Sequence, residues 1–213
     1  MGDKLYVALV NQSRIPVFYT QFGVADEIGA RFELLTFHVG LIISCLKSVP
    51  KSDPRCEQAA ETAQGVFDAF LLALDSTLRE QGTGDLTVPK KMKALGTIVY
   101  TRMKRWDDLW ETGADKETQA DYALRTIYAG LAYGGMPDPD DSVPVLTEGE
   151  EAQEKRDEQK SLPWDKILAF AQYADGARKA LNLDNILIGN PNLPRPEAYI
   201  PGSAQDAEEE IVA

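Results

Sequence analysis

Apolar residues recur along this chain at intervals of three and four, segment after segment, and no stretch alternates with the period of two that a strand requires. Each such stripe must be buried against a neighbour, which restricts the chain to helices packed on helices. A first helix is predicted over residues 4–12, ending near Pro16. A second runs from Asp26, whose carboxylate suits an N-cap, to about residue 48, with Ile28, Phe32, Leu35, Val39, Ile42 and Leu46 facing inward. Pro50 and Asp53-Pro54 mark its stop and the next start.

The third pattern, over 54–81, turns Cys56, Ala59, Ala63, Phe67, Phe70, Leu74 and Leu78 inward and leaves Glu57, Glu61, Gln64, Asp68 and Asp75 to solvent. Gly82 suits the left-handed position that ends a helix, and Thr87 can cap the next with Pro89 in its first turn. That fourth helix, over 88–111, carries Val88, Met92, Leu95, Val99, Met103, Trp106 and Trp110 on one face. A fifth, over 115–133, carries Ala120, Leu124, Ile127 and Leu131. The links are short, so neighbours run antiparallel. The expected fold is all-α, an antiparallel bundle of five to six helices.

Residues 1–135 form the expected core. Residues 136–162, rich in Asp, Glu, Pro and Lys, read as a flexible acidic linker. A sixth helix over 163–183 is expected to dock back through Trp164, Ile167, Leu168, Ala171, Ala174 and Leu181. Residues 184–213, punctuated by proline and then acidic, read as an extended and partly disordered tail.

The chemical inventory is thin. Cys45 and Cys56 sit in apolar helical patterns, where free cysteine behaves as a small hydrophobe, and no ligand cluster accompanies them. His38 is the single histidine, and leucine and isoleucine occupy the positions three and four residues away where a metal site would place partners, so it reads as framework. Gly82-Thr83-Gly84-Asp85 follows a helix and lacks the strand and the Gly-Lys-Ser/Thr of a phosphate loop, so it reads as a turn. With no nucleophile–base pair either, the chain reads as a non-enzyme with neither cofactor nor metal. The most apolar stretch, residues 34–46, is too short for a bilayer span and suits a core helix. The N-terminus shows neither a secretory signal nor an Arg/Ser-rich presequence.

Formal net charge is −12, from 22 basic and 34 acidic residues, which argues against DNA as a partner. Yet residues 79–106 hold seven basic residues against two acids, a local +5. Lys90, Lys93 and Lys104 share one side of the fourth helix, with Lys91, Arg102 and Arg105 nearby. Such a strip is either a solvated face or a surface for an anionic partner: membrane headgroups, ribosomal RNA or an acidic protein. Met92, Met103, Trp106 and Trp110 beside it could hold an apolar client helix or be ordinary core.

Three stretches carry a resemblance: Gln12-Ser13-Arg14 with Phe18-Tyr19; Arg31-Phe32-Glu33-Leu34 with His38; and Arg79-Glu80-x-Gly82-x-Gly84-Asp85-Leu86-x-Val88-Pro89-Lys90-Lys91-Met92-Lys93. Over roughly residues 10–135 the chain resembles the ubiquinol–cytochrome c chaperone family, and without a presequence it is similar to a bacterial member. The resemblance implies a helical chaperone that holds newly made cytochrome b until its partners join. In mitochondrial members it also implies a small second chaperone and the ribosome. It points to Arg79, Glu80, Gly82, Gly84, Asp85, Pro89, Lys90, Lys91, Met92 and Lys93 as client or partner contacts, and the apolar stripe of the same helix adds Met103 and Trp106 as candidates. Arg31, Phe32, Glu33 and His38 are the expected framework. The expected location is the cytoplasm, including the inner face of the membrane. The competing expectation is an RNA- or ribosome-binding factor that uses the basic strip 90–105.

Overall fold

The most apolar segment of the chain becomes its central element. In the computed structural model, which describes residues 1–129 and 164–200, helix α3 (Ile28–Lys47) buries most of its 20 residues. The stripe Phe32, Val39, Ile42 and Leu46 faces one apolar core, but Ala30, Leu34, Phe37 and Leu41 form a second stripe facing another. A helix that serves two cores is apolar all round. By length and composition alone α3 would pass as a membrane span, with mean hydropathy 1.4, yet 72% of that window is buried inside the fold. Ile28, expected inward, is exposed, and Leu35 is half-buried.

The first core joins α3 to α1 (Gly2–Ser13), α4 (Cys56–Glu80) and α5 (Val88–Glu111). Leu5, Leu9, Val66, Phe70, Leu74, Leu78, Leu95 and Val99 fill it, each burial contributing roughly 1.5–3 kcal/mol. Helices α1 and α4 touch backbone to backbone: a Cβ on Gly2 would lie 2.2 Å from the carbonyl carbon of Gly65. The second core is aromatic. It gathers Phe18 of α2 (Val17–Thr20), Phe37 of α3, Trp106 of α5, residues of α6 (Lys116–Ala123), and Phe170 and Tyr173 of α7 (Trp164–Ala180).

Element boundaries differ from the sequence reading where caps decide them. Glu27, not Asp26, is the N-cap of α3, and no side chain caps that end; Asp26 is drawn off by an ion pair to Arg31 at 2.6 Å. Thr87 occupies the N-cap of α5 in a helical conformation, and its hydroxyl makes no cap bond. Asp115 caps α6 by accepting from the Thr118 amide at 2.8 Å. The fifth predicted helix loosens into a π-turn at Leu124–Tyr128, and its last residues, 130–133, lie outside the described residues. So do the acidic segment 136–162 and residues 201–213.

Beyond α7 the chain is not simply extended. A short helix α8 (Leu183–Leu187) inserts Ile186 and Leu187 into the first core, and a 3-10 turn (Pro196–Tyr199) contacts α2 and α7. Four- and five-residue elements are too brief to show a period, which is why the sequence pattern misses them.

Candidate functional site

The stretch 79–93 folds as the α4–α5 connection. Gly82 adopts φ +81°, and the Thr83 amide donates to the Leu78 carbonyl at 3.1 Å, closing the left-handed helix end that glycine favours. Arg79 binds Asp75 at 2.6 Å and Asp85 at 2.5 Å, tying the last turn of α4 to the loop. The hydrogen bond to Asp75 leads the interactions that hold the Arg79 pKa above its usual value. Arg79, Gly82 and Asp85 therefore set the shape of the turn. Gly84 has open space around its Cβ position. Glu80, Pro89, Lys90 and Lys93 are exposed, while Lys91 and Met92 are half-buried.

Lys90, Lys93 and Lys104 do share an exposed face of α5, with Thr97 and Thr101 between them. Arg102 does not belong to that face. Its guanidinium grips Glu33 in a fork, Nε to Oε2 and Nη2 to Oε1, both at 3.0 Å. The Glu33 side chain is 1% exposed, so this expected framework residue is a buried charge paired between helices. Burial pushes the Glu33 pKa up, opposed by Arg102. The basic strip is correspondingly thinner than its sequence count.

Trp106 is placed in the second core, 4% exposed, edge-on to Phe37 at 5.1 Å and stacked on Trp110 at 5.3 Å. Its side chain is therefore part of the core rather than of the surface. Met103 instead lines a groove of about 310 Å³ between α3, α4 and α5. Ile43, Ala60, Ala63 and Phe67 make the rest of its apolar wall, with Lys47, Gln64 and Tyr100 also lining it. Tyr100, 64% exposed, was not singled out by the sequence reading; it falls between the apolar stripe and the basic face, where periodicity gives no signal.

The framework residues divide in the same way. Phe32 is buried and stacks on Phe70 with centroids 6.2 Å apart. Arg31 is exposed, pairs with Asp26 and lies over the Tyr19 ring at 5.9 Å. His38 is fully buried: Nδ1 lies 2.7 Å from the Leu34 carbonyl and Nε2 lies 2.8 Å from the Tyr173 hydroxyl. A carbonyl only accepts, so Nδ1 carries the proton and Nε2 accepts from Tyr173. Gln12 donates through Nε2 to the same hydroxyl at 3.0 Å and to the Pro194 carbonyl at 2.9 Å. Burial depresses the His38 pKa to about 4. Among the described residues no His, Cys, Asp or Glu cluster is placed to hold a metal ion, and Cys45 and Cys56 are free and half-buried.

The first two resembling stretches meet in space. Ser13, Arg14, Tyr19, Arg31 and Phe32 line one cleft, and Thr77, just before Arg79 on α4, lines it too.

The family described as ubiquinol–cytochrome C chaperone matches this chain over residues 20–144. The crystal structure of the Cbp3 homolog from Brucella abortus shares the fold, with a TM-score of 0.64 at 22% identity, covering 91% of this chain and 88% of that one. No curated protein matches the chain. The family match spans more than half the sequence, across α3, α4 and α5. The chain belongs to the ubiquinol–cytochrome c chaperone family.

Proposed function

We propose that this chain binds newly made cytochrome b and holds it during assembly of the ubiquinol–cytochrome c reductase (bc1) complex. The carrying observation is family membership over residues 20–144, which makes the chain a chaperone for that complex and implies a non-enzymatic role. Cytochrome b is an apolar, multi-spanning subunit, and exposed apolar helices are what a holding chaperone must cover.

The groove between α3, α4 and α5 suits such a client. It is walled by Ile43, Ala63, Phe67 and Met103, and methionine adapts to apolar surfaces of varied shape. Tyr100 and Lys47 also line it, supplying an amphipathic ring and a cation. Lys90 and Lys93, on α5 before Tyr100, extend the contact toward the α4–α5 turn. We place this work in the cytoplasm, at the inner face of the membrane where the client inserts.

A photo-crosslinking residue at position 100 of the full chain, in cells, tests the reading. Capture of cytochrome b, lost when Ala60→Trp fills the groove from its exposed side, is the expected result. Capture of ribosomal RNA without cytochrome b, or normal bc1 levels in a deletion strain, would overturn it.

A further inference from the structure

A second cleft, of about 510 Å³, opens between α1, α3 and α4. It lies on the α1 side of α4, whereas the groove above is formed with α5. Its floor is apolar, with Val10, Phe32, Leu35 and Leu74. Val7 on α1 and Ile28 on α3, 56% and 48% exposed, also line it and are among the few large aliphatic side chains left to solvent among the described residues. Tyr6 and Tyr19 add half-buried aromatic surface with polar tips.

The charge of the lining is the second observation. In a chain of net charge −12, the charged residues lining this cleft, among the described residues, are two arginines, Arg14 and Arg31, the second paired with Asp26 outside the lining. Asp26 holds Arg31 through Nε and Nη2, which keeps that guanidinium oriented against the Tyr19 ring. Tyrosine and arginine around an apolar floor are the composition of a protein interface centre. A long apolar trough with cations at its edge complements a helix whose apolar face is flanked by acids.

We propose that this cleft docks an amphipathic helix of a partner protein, its apolar face on Phe32 and Leu74 and its carboxylates on Arg14 and Arg31. The partner is separate from the client, so loss of either site leaves the other intact.

The test compares two fluorescein-labelled helical peptides of about five turns, with identical leucine faces flanked by glutamates in one and lysines in the other. The field of an acidic chain favours the lysine peptide, so a preference for glutamate must come from the cleft itself. The full chain should bind the glutamate peptide roughly ten-fold more tightly, and Arg14→Glu with Arg31→Glu should reverse that order. Both arginines are exposed, and an unchanged circular dichroism spectrum and thermal midpoint would show that the variant is folded. Equal binding of the two peptides, or an order unaffected by the charge reversal, would overturn the proposal. So would glutamate-peptide binding that emerges only after Asp206, Glu208, Glu209 and Glu210 are neutralised, since the occupant would then be the chain's own acidic segment.

Discussion

Tyr173 of α7 donates its hydroxyl proton to Nε2 of His38 on α3 at 2.8 Å, across a span of 135 residues. Both groups are buried; the Leu34 carbonyl accepts from Nδ1 of His38, and Gln12 donates to the Tyr173 hydroxyl. An apolar pair would hold the two helices together, but it would not fix their register, because apolar contact has no direction. Three segments distant in sequence (α1, α3 and α7) are thus locked by one relay.

Acid should unlock it. The His38 pKa falls from its usual 6.5 to about 4 because burial opposes the charged ring. The unfolded chain therefore takes up a proton near pH 6.5 that the folded chain refuses, and stability is lost as pH falls from about 6.5 toward 4. The slope is about 1.4 kcal/mol per unit at its steepest, roughly 3 kcal/mol in all. Urea melts at pH 7.0, 6.0 and 5.0 should show this decline, and His38→Gln should be less stable at pH 7 yet flatter across the range.

Tyr173→Phe removes one oxygen and leaves His38 Nε2 without its donor. The cost should be about 1–3 kcal/mol, that of a buried polar group left unpaired. Amide exchange should accelerate in α7 before it does in α4, since the relay ties α7 and not α4 to the centre.

The Glu33–Arg102 fork yields an asymmetric prediction. Arg102→Met leaves a carboxylate that is 1% exposed with no counter-charge, and should cost about 3–5 kcal/mol at neutral pH. Adding Glu33→Met removes the orphaned charge, so the double variant should be more stable than Arg102→Met alone. A denaturant-melt double-mutant cycle checks the order, and a double variant as unstable as the single one would contradict the burial argument.

How far the sequence led depends on what each residue touches. The helices of 20 residues or more announced themselves, because a long apolar stripe survives any local detail. The Gly82 turn did as well, since left-handed backbone is written in the residue type. The pairing of Glu33 with Arg102, 69 residues away, and of His38 with Tyr173 could not be read, because period says which face a residue occupies and not which helix lies opposite. The same gap explains Trp106. Its position on the apolar stripe of α5 was legible, but its packing against α3 depends on the second stripe of α3 at Ala30, Leu34, Phe37 and Leu41. The groove at Met103 is also a product of three helices and invisible in any one of them.

Gly82→Ala isolates the cost of the turn itself. Nothing lies within 4 Å of the new Cβ, so only the φ of +81° is strained. The loss should be about 1 kcal/mol, measured by denaturant melts, with the Arg79–Asp85 contact loosened and the core untouched.

Two glycines on helix faces should separate stability from function. On Gly2→Ala the new methyl meets the backbone of Gly65 at 2.2 Å, which no side-chain rotation relieves, so α1 must lift from α4. The thermal midpoint should fall by several degrees. On Gly40→Ala the methyl meets Met103, whose Cγ is nearest at 3.0 Å while its Cα and Cβ stay at an ordinary 3.8 Å. Met103 has groove space to move into, so the stability loss should stay below about 1 kcal/mol. The displaced thioether would then occupy the volume proposed for the client. Gly40→Ala should therefore melt close to the wild type while crosslinking from position 100 to cytochrome b declines, and Gly2→Ala should show the opposite balance at temperatures where it remains folded.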